Sequence, residues 1–318
     1  MNPSLLSKLC LLMAFFMSGS CGGKPVPSAA PISAAPHLTT ANTVGDVLRH
    51  PAFKGFARYV LPLEWGYDEE MPLSAVARLL PYHNYVDAAR CVGCLNRMID
   101  SVAAGRRIYY GLGREAAGLF FFRGRPGVPF AIVCPGGGFS YVGSVHEGFP
   151  HALALSRMGY NAFVLQYRTG SALAACEDLA SAIEYIFRHR AELQVDTAGY
   201  SLWGSSAGGR MVAYIGSYGT EAFGAQPLSR PAVVVMAYTG HSEYTRRDPP
   251  TYAVIGSDDG IASPRVMRRR TEALQACGIP AEFHLYPRLR HGFGLGIGTS
   301  AEGWIDGAVR FWEAHRRR

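Results

Sequence analysis

The chain has 318 residues, of which 48% are hydrophobic and 17% charged, and its formal net charge is +7. Its length and apolar content predict one large globular domain with room for an appendage. The basic clusters at 265–270 and 315–318 are short, and we interpret them as a solvated helix face and a C-terminal tail. Because no zinc-finger or helix-turn-helix spacing accompanies them, the sequence argues against a nucleic-acid partner.

The first twenty residues have the layout of a secretion signal. One lysine precedes an apolar core over residues 9–17, which is too short to span a bilayer. Ser18 and Ser20 stand at positions −3 and −1 relative to Cys21, as in a bacterial lipoprotein signal. We expect residues 1–20 to be a signal peptide and Cys21 to carry lipid, with ordinary secretion or a buried N-terminal helix as alternatives.

These expectations bear on the localisation and the domain organisation of the protein. The protein is expected to be exported, as a periplasmic or outer-membrane/cell-surface lipoprotein attached to the membrane through its N-terminal lipid only, or as a secreted protein. Residues 21–44 are rich in Pro, Ala, Ser and Thr, which predicts a flexible linker. Residues 45–105 are predicted to form a helical N-terminal extension, and residues 106–318 are predicted to form the main domain.

Two helices are predicted in the extension. Ser74 can cap the first, and Asn84 can open the second, which ends near Gly105. Cys91 and Cys94 form a C-x-x-C motif on the apolar face of the second helix. Because no second such motif or histidine pair completes a zinc site, we expect no metal; a local disulfide stays open, and a redox role is disfavoured.

The remainder of the chain alternates between strand and helix patterns. Three β-rich runs come first, without helices between them, and later strands alternate with helices. This order predicts an α/β fold whose doubly wound sheet is mainly parallel, with antiparallel first strands and no large lid domain. The strands are predicted at 106–111, 118–124, 129–134, 160–167, 200–204, 231–238, 251–256 and 281–287, and the helices at 179–193, from Ser206 onward, at 264–278 and at 302–315.

A candidate nucleophile follows the fifth of these strands. Residues 204–208 match G-x-S-x-G, with an apolar strand before them and a helical stretch after them. This context is typical of a nucleophile elbow, in which the serine occupies a strained turn between closely packed elements. We therefore predict that Ser206 is a catalytic nucleophile.

A serine nucleophile needs a base, and the base needs an acid. His291 lies in a glycine-bearing loop directly after the last strand, from which its imidazole can reach over the sheet. Asp258 and Asp259 follow the preceding strand, and we prefer Asp259 as the acid, with Asp258 as the alternative. The chain order Ser, Asp, His is that of α/β-hydrolases.

The run of glycines after residue 134 is the candidate oxyanion loop. Backbone N–H groups of Gly137 and Gly138, together with that of Ala207, can approach a substrate oxygen closely. A phosphate loop is excluded because neither of its glycine spacings is present. The candidate substrate contacts are Phe139, Tyr141 and Ser205, and Tyr238 and His241 follow a strand end that borders the site.

At PGGGF, GSSAG, GSDDG and RHGFG together, residues 106–318 resemble bacterial α/β-hydrolases of the acetyl-xylan-esterase and feruloyl-esterase-like kind, which are related to the hormone-sensitive-lipase group. Pro135 stands where that group has a histidine. The resemblance implies a serine carboxylic-ester hydrolase that removes acetyl or feruloyl-type groups from a small-molecule or oligosaccharide ester and needs no cofactor. A serine exopeptidase-like hydrolase, a thioesterase and a non-catalytic carbohydrate-binding member of the fold stay open as alternatives.

Overall fold

A computed structural model describes residues 35–316, so the predicted signal peptide, Cys21 and most of the predicted linker lie outside the described residues. Eight strands form one sheet in the order β1-β2-β4-β3-β5-β6-β7-β8. β1 and β2 are antiparallel to their neighbours, and the other pairs are parallel. The strands are β1 Tyr109–Gly111, β2 Gly118–Phe122, β3 Pro129–Cys134, β4 Asn161–Gln166, β5 Asp196–Ser205, β6 Val233–Ala237, β7 Thr251–Gly256 and β8 Ala281–Tyr286.

The α-helices alternate with the parallel strands, which confirms the predicted α/β-hydrolase fold. They are α1 Val44–Arg49, α2 Ala88–Ala103, α3 Phe149–Arg157, α4 Ala172–Arg188, α5 Arg190–Leu193, α6 Ala207–Tyr218, α7 Pro264–Ala276 and α8 Trp304–His315. A π-helical turn, Ser144–Gly148, leads into α3, and 3-10 turns lie at Pro51–Phe53, Ala57–Tyr59, Leu73–Leu79 and Glu221–Phe223. In the described part of the chain, no strand connection forms a separate lid domain.

The extension departs from its predicted helices in two places. Pro72, not Ser74, precedes the first helical segment, which is a 3-10 helix without a side-chain cap. The second helix begins at Ala88, because the Asp87 side chain accepts the N–H of Arg90 at 3.1 Å and so caps it. Asn84 lies before this helix, where its side chain is available for contacts elsewhere.

One continuous apolar core joins the extension to the sheet. Phe53 and Leu95 of the extension and Phe120 and Phe149 beyond it are all buried in the same cluster. The cysteines of the C-x-x-C motif are free thiols facing this core, and burial raises the pKa of Cys91 and of Cys94 to about 12. Both thiols are therefore protonated at neutral pH, and neither is a reactive thiolate. Among residues 35–316, no helix combines the length and apolar character needed to cross a membrane.

The basic run at 265–270 is only partly the solvated helix face that its composition predicted. Arg270 is buried, and its guanidinium lies 2.5 Å from a carboxylate oxygen of Asp248. The other oxygen of Asp248 accepts hydrogen bonds from the Ser217 hydroxyl and the Thr245 backbone N–H, both at 2.8 Å. This buried pair fixes α7 against the loop that follows β6.

Replacing Arg270 with alanine leaves the buried carboxylate of Asp248 without its cation. We expect Arg270→Ala to lower the free energy of unfolding by about 3–5 kcal/mol in urea titrations. Arg269→Ala, which removes an exposed arginine from the same helix, is the matched control and should change stability by less than about 0.5 kcal/mol. If the two substitutions changed the free energy of unfolding equally, the Arg270–Asp248 pair would not be stabilising.

Three buried histidines make stability depend on pH. Burial lowers the pKa of His146, His151 and His241 to about 4 from an ordinary 6.5. The unfolded chain therefore takes up protons as the pH falls below 6.5, whereas the folded chain does not until about pH 4. The stability that these groups contribute is complete above pH 6.5 and is lost as the pH falls towards 4.

We expect the free energy of unfolding to decline between pH 6.5 and 5, a window above the ordinary pKa of carboxyl groups. Urea titrations at several pH values measure it. His284→Ala, which changes a partly exposed histidine on β8, should leave this slope in place. If NMR shows that the imidazoles of His146 and His151 titrate near pH 6.5, the assigned cause of the pH dependence is wrong.

Candidate active site

Ser206 occupies a one-residue turn between β5, which ends at Ser205, and α6, which begins at Ala207. Its backbone has φ 50° and ψ −114°, a conformation that residues other than glycine rarely adopt. Its N–H donates to the carbonyl of Ala237 at 2.8 Å, which fixes the turn to the end of β6. Strain of this kind persists only where the surrounding structure enforces it.

The two glycines of the motif explain that enforcement. A Cβ atom on Gly204 would overlap the backbone of Gly208, and one on Gly208 would overlap the carbonyl of Cys134 at the end of β3. Both positions therefore require glycine, because the first turn of α6 packs directly onto β5 and β3. The small residues around Ser206 follow from this close approach.

Three side chains from separate loops form a hydrogen-bonded chain. The Ser206 hydroxyl lies 3.0 Å from His291 Nε2, and His291 Nδ1 lies 2.8 Å and 3.0 Å from the two carboxylate oxygens of Asp259. The imidazole of His291 and the carboxylate of Asp259 are both buried. The arrangement can transfer a proton from the hydroxyl to the imidazole while the carboxylate stabilises the imidazolium.

The structure places Asp259, the preferred acid, against His291, and it turns Asp258 away. Asp259 Oδ1 also accepts the backbone N–H groups of Ile261 at 2.9 Å and Ala262 at 2.7 Å, which holds the carboxylate towards His291. The Asp258 carboxylate instead accepts the exposed Ser257 hydroxyl at 2.7 Å.

A cavity of about 390 Å³ opens beside the serine. Its walls include Ser206, His291, Gly138, Ala207 and Phe139. Within residues 35–316, the N–H groups of Gly138 and Ala207 have no hydrogen-bond acceptor, so both are free to donate to a bound oxygen. Two of the three predicted oxyanion donors therefore border the cavity, and Gly137 does not.

Two predicted substrate contacts are corrected. Tyr141 is buried behind the oxyanion loop, where its hydroxyl lies 2.8 Å from His83 Nδ1 and accepts the N–H of Tyr82 at 3.1 Å. Ser205 is buried at the end of β5. Neither borders the cavity, because alternate residues of a strand face opposite sides and the turn at 137–141 directs Tyr141 inward.

The outer wall of the cavity contains polar residues that the sequence analysis had largely missed. Tyr238 and His241 border the cavity as expected, but Arg210 and Glu243 lie there as well. Arg210 comes four residues after Ser206, one turn along α6, so the helical spacing from the nucleophile could have indicated it. Tyr214 links the two, since its hydroxyl lies 3.2 Å from the Arg210 guanidinium and 3.1 Å from the Glu243 carboxylate.

A buried carboxylate underlies the oxyanion loop. Glu147 accepts the N–H of Gly136 at 2.6 Å and the Tyr238 hydroxyl at 2.8 Å, and it lies 3.0 Å from His83 Nε2. Burial by itself raises the pKa of the Glu147 carboxyl, but His83 and the N–H of Gly136 outweigh it and hold the pKa at about 2. The carboxylate is therefore ionised at neutral pH and fixes the start of the loop.

The family model described as BD-FAE matches residues 123–232, which include the oxyanion loop and Ser206. Over this segment the chain is similar to the BD-FAE family. Asp259, His291 and the N-terminal extension lie outside the matched segment. The family agrees with the resemblance found in the sequence.

Individual relatives are distant. Endo-1,4-beta-xylanase B of Butyrivibrio fibrisolvens is 23% identical over 230 residues, which cover 59% of this chain and 36% of the relative. The chain thus spans about a third of the length of the curated relative it matches.

Solved structures share the fold. A sugar hydrolase from Lactococcus lactis has a TM-score of 0.58 at 22% identity, over 65% of this chain and 96% of its own. An acetyl ester-xyloside bifunctional hydrolase from Caldicellulosiruptor lactoaceticus has a TM-score of 0.56 at 24% identity, over 62% and 88% respectively. At these identities, the likeness establishes the α/β-hydrolase fold.

The acid of the site can be tested by comparing neighbouring aspartates. We expect Asp259→Asn to lower kcat for p-nitrophenyl acetate by about 10⁴, because the amide no longer holds the imidazole in the required tautomer. Asp258→Asn, the matched control, should retain activity near that of the unaltered protein. A larger loss in the control than in Asp259→Asn would assign the acid to Asp258 instead.

Proposed function

We propose that the protein hydrolyses carboxylic esters on carbohydrate through an acyl-enzyme on Ser206. The observation that carries this proposal is the hydrogen-bonded chain from Ser206 through His291 to Asp259 at the wall of a cavity. The similarity of residues 123–232 to the BD-FAE family supports an esterase activity. The free N–H groups of Gly138 and Ala207 beside the serine support acyl transfer.

In the acylation step, His291 Nε2 removes the hydroxyl proton as Ser206 Oγ bonds to the ester carbonyl carbon. The carbonyl oxygen gains negative charge and accepts hydrogen bonds from the N–H groups of Gly138 and Ala207. Ala207 is the first residue of α6, whose dipole favours that charge. The tetrahedral intermediate then breaks its bond to the alcohol oxygen, which takes the proton from His291 as it leaves. Asp259 stabilises the imidazolium throughout.

In the deacylation step, water takes the place of the alcohol. His291 removes a proton from the water as its oxygen bonds to the acyl carbon, and the new tetrahedral intermediate expels Ser206 Oγ, which regains a proton from His291. The carboxylic acid then leaves. These steps require no cofactor.

Several features support an acyl group attached to a sugar. The cavity, at about 390 Å³, lies near the small end of the usual range for ligand pockets, a size suited to a single acyl group. Phe139 and Ile261 offer apolar surface for the acyl group, while Arg210 and Glu243 offer partners for sugar hydroxyls. The hydrolase from Caldicellulosiruptor lactoaceticus acts on acetyl esters and xylosides by its description. We further propose that the predicted export signal brings the enzyme to such esters outside the cytoplasm.

The proposal predicts which serine reacts and with which ester. Ser206→Ala should lower kcat by about 10⁶, whereas Ser242→Ala, which removes a hydroxyl from the same cavity wall, should retain activity. Mass spectrometry should locate a fluorophosphonate label on Ser206. A panel of acetylated xylan oligosaccharides, methyl ferulate, p-nitrophenyl esters, thioesters and aminoacyl anilides then identifies the substrate class.

Hydrolysis of the carbohydrate esters ahead of the other classes is the expected result. Preference for anilides or thioesters would replace the esterase proposal with a peptidase or a thioesterase. Absence of both labelling and turnover would leave a non-catalytic member of the fold.

A further inference from the structure

We propose that residues 82–85 of the N-terminal extension act as a strap that positions both the catalytic base and the oxyanion loop. The strap, Tyr82-His83-Asn84-Tyr85, lies before the matched family segment and before the predicted catalytic domain. It contributes no atom to the reaction as proposed above. The inference rests on that proposed function, because it assigns positioning roles within the same site.

The first set of contacts holds the loop of the catalytic histidine. Asn84 Nδ2 donates to the backbone carbonyl of His291 at 2.7 Å, and the Asn84 N–H donates to the carbonyl of Gly292 at 3.1 Å. The N–H of Arg290 donates to the Tyr85 hydroxyl at 3.3 Å. Three consecutive residues centred on the base are therefore hydrogen-bonded to two consecutive residues of the strap.

Packing supports the same connection. Gly292 has φ +67°, and a Cβ atom there would lie 2.8 Å from both His83 Cα and the Tyr82 carbonyl oxygen. A side chain at this position would push the strap away from the loop. His146 also donates to the carbonyl of Gly292 at 3.1 Å, so this backbone is held from two sides.

The second set of contacts holds the oxyanion loop. The strap's Tyr82 N–H and His83 imidazole both bond to the Tyr141 hydroxyl, and His83 Nε2 reaches Glu147, which in turn accepts the N–H of Gly136. The Tyr82 ring lies against Gly138, where a Cβ atom would be 3.0 Å from Tyr82 Cε2. The peptide that offers an oxyanion donor is thus supported from behind by the strap.

The sheet itself does not connect these two loops. The oxyanion loop follows β3 and the histidine loop follows β8, and three strands lie between them in the sheet. The histidine loop runs from residue 287 to 303 before α8 begins. A strap anchored by α2, which starts at Ala88, gives both loops a common reference.

Asn84 provides the sharpest test because its side chain touches the backbone of His291 and not the cavity. Asn84→Ala should lower kcat about 10- to 100-fold with little change in KM, since a displaced base disfavours the transition state more than binding. Asn84→Gln, which keeps an amide donor, should restore part of the loss. Tyr85→Phe, at an exposed side chain, should give a smaller loss in the same direction without a risk of unfolding.

The matched control is Asn96→Ala in the same extension. Asn96 makes two equally short amide contacts with the backbone of Leu38, at 2.8 Å and 2.9 Å. Loss of the Asn96 amide in Asn96→Ala should lower the melting temperature without lowering kcat. If Asn84→Ala loses no more activity than Asn96→Ala at equal stability, the strap is merely structural and the proposal is overturned.

Two measurements separate this proposal from the proposed function. The rate of Ser206 labelling by a fluorophosphonate needs the base and the oxyanion loop but no natural ester, and it should fall in Asn84→Ala in step with kcat. The low-field NMR signal of the His291 Nδ1 proton needs neither label nor substrate, and it should shift or broaden in Asn84→Ala but not in Asn96→Ala. An unchanged signal in Asn84→Ala would overturn the proposed positioning role of the strap even if ester hydrolysis is confirmed. A changed signal would support that role even if no ester is hydrolysed.

Discussion

The close approach of α6 to β5 and β3 is the contact on which the site depends. Gly208 packs against the carbonyl of Cys134, and Gly204 packs against Gly208, so the chain must reverse within a single residue. Ser206 takes the positive φ that this reversal requires. Its hydroxyl is projected beyond the strand ends towards His291, and the free N–H of Ala207 at the start of α6 lies beside it. The nucleophile and one of the two oxyanion donors are therefore consequences of one packing contact.

The same closeness explains why a charge is buried beneath the oxyanion loop. A Cβ atom on Gly136 would lie 2.9 Å from Ser206 Cβ, so the loop has no room for side chains that could fix it from within. Hydrogen bonds from beneath must do so, and Glu147 supplies them at the cost of desolvating a carboxylate. His83 and the N–H of Gly136 offset that cost, which is why the pKa of Glu147 falls to about 2 despite complete burial.

Local pattern was enough to predict the fold and the segments that meet at the site. Parallel strands place their carboxyl ends at one sheet edge, so residues after β3, β5, β7 and β8 had to converge. It was not enough to choose firmly between Asp258 and Asp259, because that choice depends on which carboxylate the N–H groups of Ile261 and Ala262 hold. Tyr141 was misassigned for a similar reason: its partners, Tyr82 and His83, are almost sixty residues away, and composition carries no trace of such a contact.

The change of composition near residue 105 marks where helices give way to strands, and it is a poor guide to where the active site begins. Asn84 and His291 are separated by 207 residues and are joined by a 2.7 Å hydrogen bond. A contact of such long range forms only when the extension and the histidine loop have both folded, because closing so large a loop requires other contacts to offset its entropy. The matched segment, residues 123–232, carries the nucleophile and the oxyanion loop, yet it contains neither base nor acid nor strap. On this argument the extension belongs to the scaffold of the site, since it contacts both loops although three strands separate them in the sheet.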